Sequence, residues 1–133
     1  MTIPHHVFRA YDVRGLVDID LTPTLATLLG RAIGSEIIAK GGTTAAVGHD
    51  ARASGPVLAE ALIAGLCAAG VTVRHIGQVA SPHLYHAVVH GELGGGVMVT
   101  GSHNPPEYNG FKIMVGPGSL HGDGIQRLYE RIQ

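Results

Sequence analysis

The sequence predicts an α/β domain of three layers, in which a four-stranded mixed sheet lies between helices. Segments with apolar residues at helical spacing alternate along the chain with short, continuous apolar runs, a pattern typical of buried strands connected by helices. Hydrophobic residues make up 45% of the 133 residues and charged residues 14%, which is the composition of a folded domain rather than of a disordered chain. A chain of this length is expected to form one core.

The first third of the chain contains a well-marked helix and one strand. Residues 1–20 show no clear periodicity and are expected to form an irregular lead and a turn. Thr22 is a suitable N-cap and Pro23 suits a first turn, so a helix is expected from there to Gly41-Gly42, where glycine ends it. Residues 43–48 are expected to form a short buried strand.

Two further helices and one strand are expected in the middle of the chain. Ser54 is a plausible N-cap for a helix that ends at Gly70, and residues 71–76 are expected to form the next strand. Ser81-Pro82 then opens a third helix, which Gly91 ends.

The last part of the chain contains two strands and a final helix. Residues 96–100 and 111–115 are apolar runs, and Asp123 is a candidate cap for a helix over residues 125–132. Only nine residues separate Thr100 from Gly110, at the start of the second run, too few for the crossover helix that a parallel pair needs. The last strand is therefore expected to run antiparallel to the strand before it.

The polar connection between these strands is the most unusual feature of the sequence. It begins with Gly101-Ser-His-Asn-Pro-Pro106, residues that break regular structure and define a tight loop. A loop held between two buried strands is a rigid support for a reactive side chain. Ser102 is the candidate, because Gly101 lets the backbone approach a ligand closely and His103 supplies an imidazole beside it.

Three more polar side chains are candidates from residue type and position. Arg14 lies close to Tyr11, and Arg52 follows the end of a predicted strand, where open α/β sheets bind ligands. A guanidinium can pair with two phosphate oxygens at once, which suits both arginines for binding phosphate. Arg14 could equally be an exposed surface charge, and Arg52 could belong to an ordinary capped loop between a strand and a helix. Lys112 is a candidate acid or base, and strand alternation equally permits a lysine that faces solvent.

Three motifs of the chain resemble those of the α-D-phosphohexomutase family, in its phosphomannomutase/phosphoglucomutase branch. The motifs are Phe8–Gly15 (FRAYDVRG), Gly48–Gly55 (GHDARASG) and Thr100–Pro105 (TGSHNP), and the third resemblance continues through Asn109–Lys112 (NGFK). They stand in the family's order and spacing and cover essentially the whole chain. The resemblance implies that residues 1–133 are the first of the family's four domains, the one that carries the phosphoserine loop, and that the remaining domains are absent.

The resemblance also implies a function within a full-length enzyme. Members of the family are intramolecular phosphotransferases of the isomerase class. They interconvert the 1- and 6-phosphates of mannose or glucose through a phosphoserine and a bisphosphorylated sugar. By resemblance, Ser102 carries the phosphate, while His103 and Lys112 assist proton transfer. The expected substrate-binding residues are Tyr11, Arg14 and Arg52. A first domain on its own is expected to be inactive.

Mg²⁺ is the cofactor that the resemblance implies. The phosphate on Ser102 would supply one ligand, and the family's other ligands are aspartates of the second domain in an Asp-Gly-Asp-Gly-Asp pattern. No such pattern occurs here, since Asp123 is followed by Gly-Ile, so Mg²⁺ is expected to bind this chain weakly. Glucose or mannose 1,6-bisphosphate is the expected activator.

Several other functions are less well supported by the residues. A phosphoglucosamine mutase domain is the nearest alternative, although that branch usually carries Ala at the position of Gly101; a stand-alone domain without activity is another. A serine hydrolase would need Gly-x-Ser-x-Gly around Ser102, and a dinucleotide-binding domain would need Gly-x-Gly-x-x-Gly after the first strand. Neither pattern occurs. His83, His86 and His90 share one helix face, but with no cysteine beside them a polar face explains the spacing better than zinc does.

Charge and composition limit the expected partners. The net charge is −1 with histidine neutral, so no basic surface for nucleic acid is indicated, and no signal peptide or membrane-spanning stretch is apparent. The lone Cys67 fits a reducing compartment, and the expected location is the cytoplasm. The expected partners are sugar phosphates and the missing domains of the same enzyme, which by the resemblance set the choice of hexose.

Overall fold

The structure is a computed structural model that describes residues 3–133. Its elements in chain order are a 3₁₀ turn (His5–Val7), β1 (Val13–Leu16), α1 (Pro23–Ala39), β2 (Thr44–His49), α2 (Gly55–Ala68), β3 (Thr72–Gln78), α3 (Ser81–His90), β4 (Gly95–Val99), β5 (Tyr108–Val115), β6 (Gly118–Ser119) and α4 (Asp123–Ile132). None of the helices within residues 3–133 combines the length and the apolar composition that crossing a bilayer requires.

The strands within residues 3–133 form one mixed sheet. Its strands lie in the order β1-β5-β4-β2-β3, and β6 pairs with β5 as a short hairpin. β2 is parallel to both β3 and β4, whereas β5 is antiparallel to both β4 and β1. The α/β class and the antiparallel strand after the polar connection are confirmed, but the predicted number of four strands is wrong, since the sheet has six.

Strand β1 lies within residues 1–20, for which an irregular lead was expected. Its four residues pair with β5 in antiparallel register at the edge of the sheet. A stretch of four residues that includes an arginine and a glycine is too short to show strand periodicity. Such a strand forms because a partner is available, since only Val13 among its four residues strongly favours a strand and glycine disfavours one.

Apolar side chains fill both faces of the sheet. Helices α1, α2 and α4 cover a larger core cluster on one face, and α3 covers a smaller cluster on the other. Successive strand residues alternate between the clusters, since Val97 and Val99 belong to the larger and Met98 to the smaller. Because both faces are covered, β2 and β4 are buried almost throughout, which explains why each is a continuous apolar run in the sequence.

The helix starts confirm one expected cap and correct two others. The Thr22 hydroxyl accepts a backbone N–H of the first turn of α1 at 3.1 Å. Ser54 occupies the position before α2, but its hydroxyl makes no capping hydrogen bond and instead accepts one from Asn109 Nδ2 at 2.7 Å. Asp123 is the first residue of α4, and Gly122 takes the cap position with a φ of 54°.

Helices α1 and α2 pack against each other through glycine. A Cβ on Gly65 would lie 2.8 Å from the backbone nitrogen of Arg31 and would overlap the carbonyl oxygen of Thr27. A Cβ on Gly30 would overlap the carbonyl oxygen of Leu62 in the same way. The two helix backbones are therefore in contact, and no side chain fits between them at this crossing.

We expect Gly65→Ala to destabilise the fold by about 2–3 kcal/mol, although alanine is normally the better helix former by about 1 kcal/mol. The added methyl group would meet main-chain atoms of α1, which cannot move without separating the helices. Urea unfolding followed by circular dichroism measures the difference in free energy. Gly118→Ala is the matched control, because a Cβ there has no neighbouring atom within 4 Å. Equal stability of the two variants would contradict the close crossing.

Candidate active site

The carboxyl ends of β2 and β4 form the edge at which the candidate serine lies. These strands are parallel neighbours whose last residues face each other in register, so Asp50 and Thr100, which follow them, lie side by side. Residues 101–107, here called the serine loop, start at this edge and lead back into β5. Ser102 therefore stands at the carboxyl end of the parallel strands, where open α/β sheets bind their ligands.

The Asp50 carboxylate organises the start of the serine loop. Its Oδ2 accepts hydrogen bonds from the Thr100 hydroxyl at 2.8 Å and the Gly101 N–H at 3.2 Å, and its Oδ1 accepts the Arg52 N–H at 3.1 Å. The Thr100 hydroxyl in turn accepts the Ser102 N–H at 3.0 Å. A chain of hydrogen bonds thus leads from the end of β2, through the end of β4, to the backbone of Ser102.

Ser102 has a left-handed backbone conformation, with a φ of 55°. This region is uncommon for a residue with a side chain and costs about 1–2 kcal/mol. Hydrogen bonds on both sides enforce it, from the Ser102 N–H to Thr100 and from the Asn104 N–H to the Gly101 carbonyl at 3.0 Å. Ser102 is half-buried, whereas His103 is exposed. Enforced strain of this kind concentrates at functional sites.

The Arg52 side chain is wrapped by the serine loop and is only 15% exposed. Each terminal nitrogen of its guanidinium donates to two carbonyl oxygens. The acceptors are Pro105 (2.6 Å) and Tyr108 (3.1 Å) for Nη1, and Ser102 (3.1 Å) and Asn104 (2.7 Å) for Nη2. The Nε atom lies 3.4 Å from Asp50 Oδ2. The guanidinium that was predicted to bind substrate is therefore occupied within the loop.

Gly101 and Asn109 allow the serine loop to close around the Arg52 guanidinium. A Cβ on Gly101 would overlap the guanidinium of Arg52, so a residue without a side chain leaves the contact undisturbed. Asn109 is fully buried, and its side chain donates to Ser54 Oγ at 2.7 Å while accepting the Gly110 N–H at 2.8 Å. Asn109 thereby fastens the return of the loop to the start of α2.

A cavity of about 710 Å³ on the α3 side of the sheet brings together three of the predicted residues, Tyr11, Arg14 and Lys112. Arg14 of β1 pairs with the residue two positions before Lys112 in β5, so both side chains leave the sheet on the same face. Tyr11 is 78% exposed. Ser102 and His103 are not among the lining residues. The other polar or aromatic lining residues are Arg9, Asp12, Tyr85, Ser119 and His121.

Asp12 also lines this cavity, although it was not among the site residues predicted from the sequence. Arg14 Nη2 donates to Asp12 Oδ2 at 2.6 Å, and Asp12 is buried. The carboxylate orients the guanidinium, whose Nε is buried without a hydrogen-bond partner among residues 3–133. Asp12 and Arg14 are two positions apart, so their side chains lie on the same side of an extended chain. This spacing of an acidic and a basic residue could have predicted the ion pair from the sequence.

A divalent cation finds few ligands among these side chains. Within residues 3–133, no three or more His, Cys, Asp or Glu side chains are grouped so that they hold a metal ion. Asp50, which contacts the serine loop, already accepts three hydrogen bonds. His86 and His90 of the predicted histidine face are exposed and stack on each other with ring centroids 4.1 Å apart.

Comparison with known proteins identifies relatives along the whole chain. Residues 5–133 match the family profile described as phosphoglucomutase/phosphomannomutase, alpha/beta/alpha domain I. A phosphomannomutase/phosphoglucomutase of Pseudomonas aeruginosa is 52% identical over 132 residues, which are 99% of this chain and 28% of that protein. A phosphoglucomutase of Neisseria meningitidis serogroup B is 47% identical over 132 residues, 99% of this chain and 29% of that protein.

A solved structure shares the arrangement of the sheet and helices. A phosphoglucomutase/phosphomannomutase family protein from Burkholderia thailandensis superposes with a TM-score of 0.94 at 44% identity, over 98% of this chain and 30% of that one. The chain therefore spans less than a third of the length of these relatives. By sequence and by structure, the chain belongs to the phosphoglucomutase/phosphomannomutase family, of which it forms the α/β/α domain I.

Proposed function

We propose that this chain is the serine-bearing domain of an enzyme that transfers a phosphoryl group between the 1- and 6-oxygens of mannose or glucose. The observation that carries the proposal is the fixed position of Ser102, in a left-handed backbone at the carboxyl edge of the sheet. The relatives, whose names are phosphomannomutase/phosphoglucomutase and phosphoglucomutase, support the same reaction.

In the proposed reaction Ser102 carries a phosphoryl group as a phosphate ester. The bond between phosphorus and Ser102 Oγ breaks while phosphorus bonds to a hydroxyl oxygen of the sugar phosphate. The sugar hydroxyl gives up its proton, and Ser102 Oγ gains one. The bisphosphorylated sugar then returns its other phosphoryl group by the same step in reverse, which yields the isomeric sugar phosphate and regenerates the phosphoserine.

We assign the proton transfers to Lys112 and His103, and charge compensation to Arg14. Lys112 and Arg14 bring two cationic side chains to one cavity, where they favour a dianionic phosphate. Asp12 holds the Arg14 guanidinium in place. Tyr11, exposed at the same cavity, is the proposed contact for the sugar.

Mg²⁺ is the proposed cofactor of the assembled enzyme. When bound, it neutralises charge that builds up on the transferring phosphoryl group. A phosphate on Ser102 would offer one oxygen ligand, but residues 3–133 supply no carboxylate cluster for the rest, so this chain fits the ion only in part. Glucose or mannose 1,6-bisphosphate is the proposed activator, because it can rephosphorylate Ser102. The proposed location is the cytoplasm.

Ser102→Ala in the full-length enzyme is expected to abolish mutase turnover, because the store for the phosphoryl group is lost. Conversion of glucose 1-phosphate to glucose 6-phosphate in the presence of the 1,6-bisphosphate is the measurement. Ser35→Ala is the matched control, since the Ser35 hydroxyl donates to a carbonyl of its own helix. A fully active Ser102→Ala enzyme would remove the phosphoserine mechanism.

Lys112→Ala is expected to lower kcat by about 10²–10⁴-fold, the usual effect of losing a general acid or base. Arg14→Ala should lower kcat less, because it acts through charge and positioning. Both variants are measured in the full-length enzyme, and Arg31→Ala on the exposed side of α1 controls for the loss of one positive charge. A greater loss for Arg14→Ala than for Lys112→Ala would reverse the assignment of roles.

The isolated chain of residues 1–133 is expected to show no useful mutase turnover, because residues 3–133 supply no cluster of carboxylates for Mg²⁺ and the chain spans less than a third of its relatives. The mutase assay compares it with the full-length enzyme at equal concentration, and calorimetric titration measures Mg²⁺ binding. Robust turnover by the chain alone would refute this expectation. If the chain is instead a stand-alone domain without catalytic function, adding the remaining domains of a mutase should not produce turnover either.

A further inference from the structure

The Arg52 guanidinium has no free donor with which to bind a substrate. A guanidinium carries five N–H donors and no acceptor. Four of these donors point at carbonyl oxygens of the serine loop and of the first residue of β5, and the fifth, on Nε, faces Asp50 at 3.4 Å. A phosphate could be bound by Arg52 only if a hydrogen bond within the loop were first broken.

The surroundings of Arg52 also differ from those of Arg14. The Arg52 ion pair with Asp50 is largely shielded, with 15% and 25% of the two side chains exposed. Arg14 is paired with Asp12 as well, with 24% and 8% of the two side chains exposed, but it lines the cavity that holds Lys112. Arg14 therefore borders the cavity that contains Lys112, whereas every guanidinium nitrogen of Arg52 already faces an acceptor in or beside the serine loop.

We infer that Arg52 is a positioning residue for Ser102 and not a substrate ligand, an inference that rests on the proposed phosphoserine mechanism. Arg52 fixes the carbonyl of Ser102 while Thr100 fixes its N–H, so the left-handed residue is held on both sides. Carbonyl oxygens carry partial negative charge. Arg52 gathers four of them around its guanidinium, whose positive charge offsets theirs.

Lysine cannot replace arginine in this arrangement. The four carbonyl oxygens and Asp50 are distributed around a planar fork, whereas a lysine ammonium has three donors on one nitrogen. Arg52→Lys keeps the positive charge but leaves carbonyl oxygens of the loop without donors. The loop would then hold Ser102 less tightly, while the cavity around Lys112 and Arg14 stays as it is.

Kinetics of full-length Arg52→Lys separate positioning from substrate binding. We expect kcat to fall by about tenfold or more while KM for the sugar phosphate stays within about twofold, as for a displaced nucleophile. Amide hydrogen exchange should accelerate in residues 100–110 and stay unchanged elsewhere. Arg74→Lys, exposed on the edge strand β3, is the matched control and should change neither constant. A raised KM with unchanged kcat, or wild-type values of both, would overturn the inference.

A crystal structure of the phosphorylated full-length enzyme tests the same inference without a variant, and so also covers the case in which Arg52→Lys fails to fold. We expect Arg52 to keep its four carbonyl partners, with no guanidinium nitrogen within hydrogen-bond distance of the phosphate on Ser102. A guanidinium turned toward the phosphate would refute the positioning role. If the wild-type enzyme shows no mutase turnover, the proposed function fails, and the inference fails with it.

Discussion

The ion pair between Arg52 and Asp50 joins the sheet to the serine loop, and the geometry of the candidate site depends on it. Asp50 extends β2 and accepts hydrogen bonds from the residues that follow β4, while Arg52 donates to carbonyl oxygens as far as the first residue of β5. Three strands are thus connected at one edge through two side chains. Hydrogen bonds to charged groups contribute about 1.5–3 kcal/mol each, more than neutral ones, so this pair can outweigh the strain at Ser102.

The strand order makes this connection possible. Parallel pairing of β2 with β4 brings residues 50 and 100 to the same edge, and the antiparallel return of β5 closes the loop over Arg52. The same return has a second consequence. It sets Lys112 opposite Met98 and brings β5 beside β1, so a lysine and an arginine from different strands share one face. A single polar connection therefore both presents Ser102 and positions the cations of the cavity.

Features with a local cause were predictable from the sequence, and features with a tertiary cause were not. The helix after Thr22 follows from a local cap, and strands β2 and β4 follow from short apolar runs, both of which are visible in neighbouring residues of the sequence. Ser54 has the right position for a cap, but Asn109, distant in sequence, takes its hydroxyl. The contacts of Arg52 were not predictable from the sequence for the same reason. Every residue has a carbonyl oxygen, and only the folded loop determines which of these oxygens point at the guanidinium. The role of Arg52 in binding substrate stays a prediction, and its contacts favour a role in positioning Ser102.

Storage of a phosphoryl group on Ser102 is most directly tested by mass spectrometry of the full-length enzyme after incubation with glucose 1,6-bisphosphate. We expect the mass to increase by one phosphoryl group and fragmentation to locate that group on Ser102. Addition of excess glucose 6-phosphate should then remove it as the bisphosphate forms. An active enzyme with an unmodified Ser102, or with the phosphoryl group on another residue, would contradict the mechanism.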